Sequence, residues 1–318
     1  MTAASNPAFI SVIVPAYNEE NGIAACIQAL LAQDYPQDRR EIIIVDNNSK
    51  DRTREIIQKF PVTLLVESEI QGPAAARNRG ILAAHGEIIA FTDADCLPRP
   101  DWLRNLAKVF TSADIVGAVG NLRGIGNEGL ISKFMEEVNT VQSHEGSSYW
   151  YVITANAAYR RAAVLKLGLF KVNLYNGEDI DLGLRAQIEL GRVVGAPDAI
   201  VDHPFENSWD EITERFRRYG YSEILLDAMY QHTPGYLRQA GFQRGQMLRQ
   251  VGALFVYIGS FAVRLLRSVF RGWNKKYVFW PLLWFVAEFN NLSGKVHGVV
   301  DTRFLTRVPT RTLSIKNR

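Results

Sequence analysis

Residues 87–96 read EIIAFTDADC. An unbroken apolar run, Ile88-Ile89-Ala90-Phe91, ends in two aspartates one residue apart. An apolar run this short, rich in isoleucine, reads as a strand buried on both faces, as in a parallel sheet. Two carboxylates at the end of such a strand can turn toward one cation. Mg²⁺ and Mn²⁺ take hard oxygen ligands and commonly share them with substrate phosphates. A lone Asp-x-Asp recurs by chance in any solvated turn. Placed after a buried strand, Asp93 and Asp95 read as metal ligands, one on each side of Ala94.

Working outward, residues 9–15 (FISVIVP), 41–46 (EIIIVD) and 62–66 (VTLLV) repeat the same signal, and residues 113–120 give a fifth strand. Residues 19–32, 53–60 and 73–85 between them read as helices. Ser49 or Thr53 would cap the second, and Pro73 suits the first turn of the third. Strands alternating with helices over short links predict an α/β fold, a mostly parallel sheet with helices on both faces. Ligands of such sheets bind beyond the carboxyl ends of the strands. Residues 121–150 read as a mobile loop carrying one helix near 130–142. Residues 152–159 read as a strand, 178–190 as a helix stopped by Gly191, and 199–203 as a last short strand. No internal repeat or low-complexity segment interrupts the chain.

The 318 residues, 47% apolar and 22% charged, suit about two domains and exclude a disordered or fibrous chain. Two cysteines, Cys26 and Cys96, exclude a disulfide scaffold and a four-cysteine zinc site. The start, MTAASNPAFISVIVP, lacks a basic segment followed by a long apolar one, so no secretory signal is expected. The net charge of +3 hides an asymmetry. Residues 1–203 hold 19 Lys and Arg against 25 Asp and Glu; residues 231–318 hold 14 against 2. A basic tail of this kind implies a polyanionic partner, either nucleic acid or an anionic membrane surface.

That tail also carries two uncharged runs, 251–263 (VGALFVYIGSFAV) and 277–287 (YVFWPLLWFVA). Both fall short of the roughly 20 apolar residues that span a bilayer. Between them Arg264, Arg267 and Arg271 share one helical face, opposite Leu265, Leu266, Val269 and Phe270, with Trp273, Trp280 and Trp284 nearby. This is the pattern of a helix lying in a membrane interface. The bland alternative is a helical hairpin packed on the rest of the chain or forming an interface between subunits of a homo-oligomer.

Asp46 ends the second strand and precedes Asn47-Asn48-Ser49, where its carboxylate would accept from a base N–H or a ribose hydroxyl, or simply cap a turn. Residues 72–80 (GPAAARNRG) open a helix whose N-terminus favours anions, with Arg77 suited to a phosphate. No GxGxxG follows the first strand, where a dinucleotide site needs one, and the chain has no GxxxxGK[ST] for a P-loop site.

Taken together, SVIVPAYNEE, VDNNSKDRT, GPAAARNRG and FTDADC, in this order, resemble the nucleotide-sugar domain of the family 2 glycosyltransferases. The resemblance continues through Asn156, Arg160-Arg161, Leu167-Gly168-Leu169-Phe170, Gly177-Glu178-Asp179, Leu182, Arg185, Gly191, Pro197 and Val201-Asp202-His203. It covers residues 9–203 and implies the GT-A fold, with a nucleotide-sugar half over about 9–120 and an acceptor half over about 121–208. Residues 209–318 lie outside it, as a helical, basic, amphipathic, membrane-associating region.

The resemblance implies that Pro15, Ala16, Tyr17, Glu19 and Asp46 hold the nucleoside and that Arg77, Asp93 and Ala94 serve the donor. Asp93, Asp95 and the late His203 would hold Mn²⁺ or Mg²⁺. Asp179 would be the catalytic base, with Glu178 beside it, and Asn156, Glu178 and Arg185 would lie on the acceptor or sugar side. The implied activity is inverting transfer from a nucleoside-diphosphate sugar, UDP-sugar favoured, to a lipid-linked or envelope glycan at the cytoplasmic face of the cell membrane. Two other classes compete. A sugar-phosphate nucleotidyltransferase would need an early Gly-rich loop with Arg and Lys, where this chain has Pro-Ala-Tyr-Asn-Glu-Glu. A nucleic-acid-binding module fits the tail's charge but not its tryptophans and apolar runs, so no nucleic-acid partner is expected.

Overall fold

The computed structural model describes residues 7–126, 129–139, 150–174, 176–230, 233, 244–271 and 275–305. The chain divides into two compact units, Met1–Asn207 and Ser208–Arg318.

The first unit is one eight-stranded sheet in the order β3-β2-β1-β4-β7-β6-β8-β5. The strands are β1 (Ile10–Ala16), β2 (Arg40–Asp46), β3 (Thr63–Val66), β4 (Ile88–Phe91), β5 (Leu97–Pro98), β6 (Ile115–Ile125), β7 (Ala157–Arg160) and β8 (Arg192–Pro204). β3, β2, β1 and β4 are mutually parallel. β7 runs antiparallel to both β4 and β6, and β6 and β8 are parallel. The mostly parallel α/β sheet expected from the sequence is the one observed. Along β1 the side chains alternate: Val12 and Val14 enter a core with Ile23, Ile27 and Leu30, while Ile13 enters a second core with Ala76, Ile81 and Phe91. Both faces are therefore apolar, and only the strand ends are free to carry polar chemistry.

Helices α1 (Ile23–Leu31), α2 (Thr53–Ile57), α3 (Pro73–Ala83), α4 (Trp102–Lys108), α5 (Leu130–Asn139), α6 (Arg161–Lys166) and α7 (Glu178–Glu189) complete the unit. Pro73 is in the first turn of α3 as expected. Neither Ser49 nor Thr53 caps α2; Asp51 does the work, its Oδ1 accepting from Thr53 N and Oγ1 at 3.0 and 2.5 Å.

Three local expectations change. The strand expected at 152–159 is a 3₁₀ turn, Thr154–Asn156, followed by β7. The side chain of Asn156 breaks the run by donating to the carbonyls of Asn121 and Ala199, each at 2.8 Å. The fifth strand runs on to Ile125, and the last strand is 13 residues rather than five, because β6 and β8 pair along their lengths, Ile125 opposite Pro204. The helix near 130–142 is described as far as Asn139; residues 140–149, the heart of the expected mobile loop, lie outside the described residues.

The second unit contains α8 (Trp209–Tyr230), α9 (Arg244–Arg271) and α10 (Lys275–Leu305, with Pro281 inside). α8 and α10 approach backbone to backbone. A methyl group at Gly220 would lie 1.8 Å from Asn291 O, and one at Gly294 would lie 1.9 Å from Arg217 O. A polar ladder joins the three helices: Lys295 Nζ reaches Glu223 (2.7 Å) and Gln250 Oε1 (3.1 Å), and Gln250 Nε2 donates to Glu288 (2.9 Å). Tyr257 stacks on Trp284, and Phe261 packs on Phe279. The opposite side of α9 is apolar and uncovered, with Phe255 73%, Val256 67% and Leu266 67% exposed. Leu265 and Leu266 share that exposed side with Arg267 rather than opposing it, and the side chains of Val269, Phe270 and Arg271 lie outside the described residues. Arg249–Ser268 is long and apolar enough to cross a membrane by length and composition, which its uncharged centre alone is not.

Candidate active site at the carboxyl ends of the strands

β1 pairs with β2 on one side and β4 on the other, Ala16 opposite Asp46 and Ile13 opposite Phe91. The loops after these strands therefore emerge together. Tyr17 is exposed, Pro15 half-buried and Ala16 buried. The β1 and β2 loops are stitched by four bonds from backbone N–H groups: Asn18 to Ser49 Oγ (3.0 Å), Lys50 to Asn18 Oδ1 (2.8 Å), Glu19 to Thr53 Oγ1 (2.7 Å) and Glu20 to Asp51 Oδ2 (3.0 Å). Asp46 is fully buried, and Arg54 clamps its Oδ2 at 2.6 and 3.1 Å. Asn47 holds the next loop: its Nδ2 donates to the carbonyls of Glu67 and Ile70, and its Oδ1 accepts from Gly72 N at 2.6 Å. Gly72 has φ +129°, a conformation open to glycine and few other residues, and it launches α3.

α3 points Arg77 into the centre of the site. Arg77 is buried, with Nη2 on Asp93 Oδ1 (2.8 Å), Nη1 on Glu178 Oε1 (2.9 Å), and its guanidinium 5.8 Å from the Phe170 ring centre. The arginine expected at a donor phosphate thus bridges two carboxylates, and its buried Nε has no hydrogen-bond partner. The 167–170 turn that positions Phe170 is clasped from both sides. Asn78 bonds the Phe170 backbone N–H and C=O, each at 2.9 Å. Arg185 donates to the carbonyls of Leu167 and Leu169 and pairs with the buried Asp181. Arg185, expected on the acceptor or sugar side, is therefore held wholly by the fold. Asn156 is likewise committed: it is 1% exposed, donates to two carbonyls and accepts from the Trp102 indole at 2.8 Å.

The Asp93-Ala94-Asp95 turn presses against the start of α1, where a methyl at Gly22 would lie 3.3 Å from Asp95 Cα and 3.4 Å from Ala94 O. β5 then runs antiparallel to β8, Leu97 opposite Asp202 and Pro98 opposite Val201. This register carries His203 to Asp95 across more than 100 residues of sequence. One ligand atom each of Asp95, Cys96 and His203 lie within 4.8 Å of one another. His203 Nδ1 is buried with no hydrogen-bond partner, and the ring stacks on Phe205. An imidazole nitrogen left bare beside a carboxylate fits a cation. Asp93 is not in that cluster; its Oδ1 faces Arg77 instead. Cys96 is the residue that the sequence reading missed, and its only signal was its place directly after the two aspartates.

The electrostatics follow from this crowding. Burial, then the charges of Asp95, Asp93 and Asp51, pushes the Glu19 carboxyl up to about 7. Asp95 is raised by burial and by Asp93, with His203 pulling the other way. Burial lifts the Cys96 thiol well above its ordinary value. At the head of α7, Asp179 is pushed up to about 7, first by burial and then by the Glu178 charge, with Arg77 opposing. Its oxygens accept from Ile180 N (2.8 Å) and Thr154 N (3.3 Å). A carboxyl poised near neutrality beside an ionised network is suited to proton transfer.

The sequence model of the family described as Glycosyl transferase family 2 matches residues 11–168. Glycosyltransferase AglE of Haloferax volcanii is 35% identical over 218 residues, 66% of this chain and 71% of that protein. A Methanococcus voltae protein named dolichyl N-acetyl-alpha-D-glucosaminyl phosphate 3-beta-D-2,3-diacetamido-2,3-dideoxy-beta-D-glucuronosyltransferase is 24% identical over 302 residues, 87% of this chain and 93% of that one. Among solved structures, the mannosyltransferase PcManGT from Pyrobaculum calidifontis, in complex with GDP-Man and Mn²⁺, aligns with a TM-score of 0.66 at 21% identity, covering 93% of this chain and 88% of that one; this likeness is one of fold. With the sheet order, the strand-end site and these relatives in agreement, the chain belongs to the family 2 glycosyltransferases.

Proposed function

We propose that this glycosyltransferase moves a sugar, with inversion, from a nucleoside-diphosphate sugar to a hydroxyl of a lipid-linked or envelope glycan. The observation that carries the reading is the meeting of two clusters at one set of strand ends: Asp95 with His203, and Asp93 through Arg77 to Glu178 beside Asp179. The loops at 15–19 and the Asp46–Arg54 pair form the wall for the nucleoside. Bound at Asp93, Asp95 and His203, Mn²⁺ or Mg²⁺ would neutralise charge on the departing diphosphate. Arg77 keeps Asp93 and Glu178 oriented and partly neutralised, so that two carboxylates and a base share one small volume. Asp179 takes the proton of the acceptor hydroxyl as that oxygen attacks the anomeric carbon from the face opposite the diphosphate. No covalent intermediate is needed.

The acceptor side of the proposal draws on the Methanococcus voltae relative, whose name specifies a dolichyl phosphate-linked sugar and which matches nearly end to end. It also draws on α9. One side of α9 packs aromatic and polar groups within the helical unit, while Val251, Phe255, Val256, Ile258, Val263 and Leu266 stay uncovered. A helix with one apolar side bare and basic residues near its ends suits a membrane interface, next to such an acceptor, and the proposal puts that interface at the cytoplasmic face. Residues 1–208 would then form the catalytic domain and 209–318 the membrane-associating region.

A screen of UDP-, GDP- and dTDP-sugars with Mn²⁺ or Mg²⁺ tests the donor, UDP-sugars first. Transfer to a polyprenyl-phosphate-linked sugar in vesicles, with the new linkage read by NMR, tests acceptor and stereochemistry. Full transfer in EDTA, or a product retaining the donor's anomeric configuration, would sink the mechanism.

A further inference from the structure

Cys96 lies where a metal ligand would lie, and its chemistry differs from that of its neighbours. It is fully buried, and its Sγ is 3.5 Å from Asp95 Oδ1. The β5–β8 register brings His203 to the same place, with ligand atoms of all three residues within 4.8 Å and His203 Nδ1 unpartnered. In a tetrahedral zinc site, Zn–S is about 2.3 Å and Zn–O about 2.0–2.2 Å, which places sulfur and oxygen about 3.5–3.7 Å apart. The Cys96–Asp95 separation already has that value. Mn²⁺ and Mg²⁺ prefer oxygen and six ligands, whereas thiolate with imidazole selects zinc-like ions.

We infer that Asp95, Cys96 and His203 form a three-donor trap for a thiophilic cation, Zn²⁺ or Cd²⁺, which binds in place of Mn²⁺ or Mg²⁺ and closes the site to the diphosphate. The inference rests on the metal reading above and adds to it a donor, a second ion and a mode of inhibition. On binding, a metal–sulfur bond forms and the thiol proton leaves to water; nothing is oxidised or reduced. A tetrahedral ion with three protein donors keeps one open position, too few to bridge two phosphate oxygens. Cys26, the other cysteine, turns its Sγ to the backbone carbonyl of Asp93 at 3.4 Å and serves as the control.

The test titrates metal-stripped full-length protein with Cd²⁺ and follows the ultraviolet sulfur-to-cadmium charge-transfer band. The expected result is one equivalent of band in wild type and in Cys26→Ser, none in Cys96→Ser, and displacement of the band by Zn²⁺. By calorimetry, Cys96→Ser should weaken Zn²⁺ at least about 10-fold, as loss of one of three protein ligands implies. No band in wild type, or a band that survives Cys96→Ser and vanishes in Cys26→Ser, overturns the trap. Should Cys96→Ser fail to fold, zinc K-edge spectroscopy of wild type decides: a sulfur neighbour supports the trap, and a shell of nitrogen and oxygen alone overturns it. Mn²⁺ binding, read by electron paramagnetic resonance with nucleoside diphosphate present, separates the two readings. Mn²⁺ bound without a cadmium band defeats the trap alone; a cadmium band without Mn²⁺ binding defeats the metal reading and with it the displacement of Mn²⁺, leaving only a thiophilic three-donor site.

Discussion

The two units distribute their residues in opposite ways. In the sheet unit, Val12, Val14, Ile44 and Phe91 are sealed inside and the charged groups gather at the strand ends. In the helical unit, Lys295 (4% exposed) and Asn291 are buried in a polar ladder, while Phe255, Val256 and Leu266 face outward. The first pattern suits a chain whose only surroundings are water. The second suits a helix with one side against a non-aqueous surface, where internal polar pairs hold register and external apolar side chains meet the surface. On the proposed function, chemistry belongs to the sheet unit and attachment to the helical one.

The largest effect that would break this division is at Asp95, the proposed metal ligand. Asp95→Ala should lower both donor hydrolysis and transfer on the order of 10³-fold, about 4 kcal/mol, because Lewis-acid charge stabilisation is worth several kcal/mol. Steady-state assays in Mn²⁺ read it, and loss of transfer with hydrolysis intact would place the residue on the wrong side of the division. Asp179→Asn should cost about 10²-fold in kcat, a usual magnitude for a general base, with donor affinity within about twofold. In the wild type, kcat should rise with pH through about 7 and level above it, since the base works only when ionised. The variant should lose that limb.

A smaller change is expected at Arg77. Arg77→Met removes the charge that opposes the raised Asp179 carboxyl, so the midpoint of the pH–kcat curve should move up by about one unit or more. A midpoint that stays in place would mean that Arg77 and Asp179 are not electrically linked. In the helical unit, reversing Arg264 and Arg267 to Glu should weaken vesicle binding at least about tenfold, as each basic residue near an anionic surface contributes roughly 1 kcal/mol. Hydrolysis of free sugar nucleotide should hold. Were the protein to ignore vesicles and the pair of changes to split a stable dimer, α9 would be a subunit interface. The smallest effect is expected at an exposed apolar residue, read against a buried one by urea unfolding. Phe255→Ser should change stability by no more than about 0.5 kcal/mol, as at other exposed positions. Ile44→Ala, fully buried, should cost about 2–5 kcal/mol. Similar costs at the two positions would erase the contrast.

Much of the frame was legible along the chain because its signals are local. The apolar runs that became β1 to β4, Pro73 at the head of α3 and the acids at the head of α7 all declare themselves within a few residues. Arg77 was legible as a candidate, but its bonds to Asp93 and Glu178, 16 and 101 residues away, were not. The same holds for Asn156 and Arg185: their positions were marked, yet their hydrogen bonds run to backbone carbonyls that no sequence spacing reveals. The length of β8 was missed because its pairing partner β6, not its own composition, extends it.

By itself the sequence determined the sheet, the strand that delivers Asp93 and Asp95, the family, and the charge contrast between the two halves. Unbroken apolar runs, turn chemistry and charge are properties of consecutive residues, and so they are written in order. Only the tertiary structure decided that Cys96 joins Asp95 and His203, that Arg77 links Asp93 to Glu178 of α7, and that Asp179 lies in surroundings that lift its carboxyl to about 7. Those properties depend on distance and dielectric between residues far apart in the chain, which strand register and burial set and residue order does not.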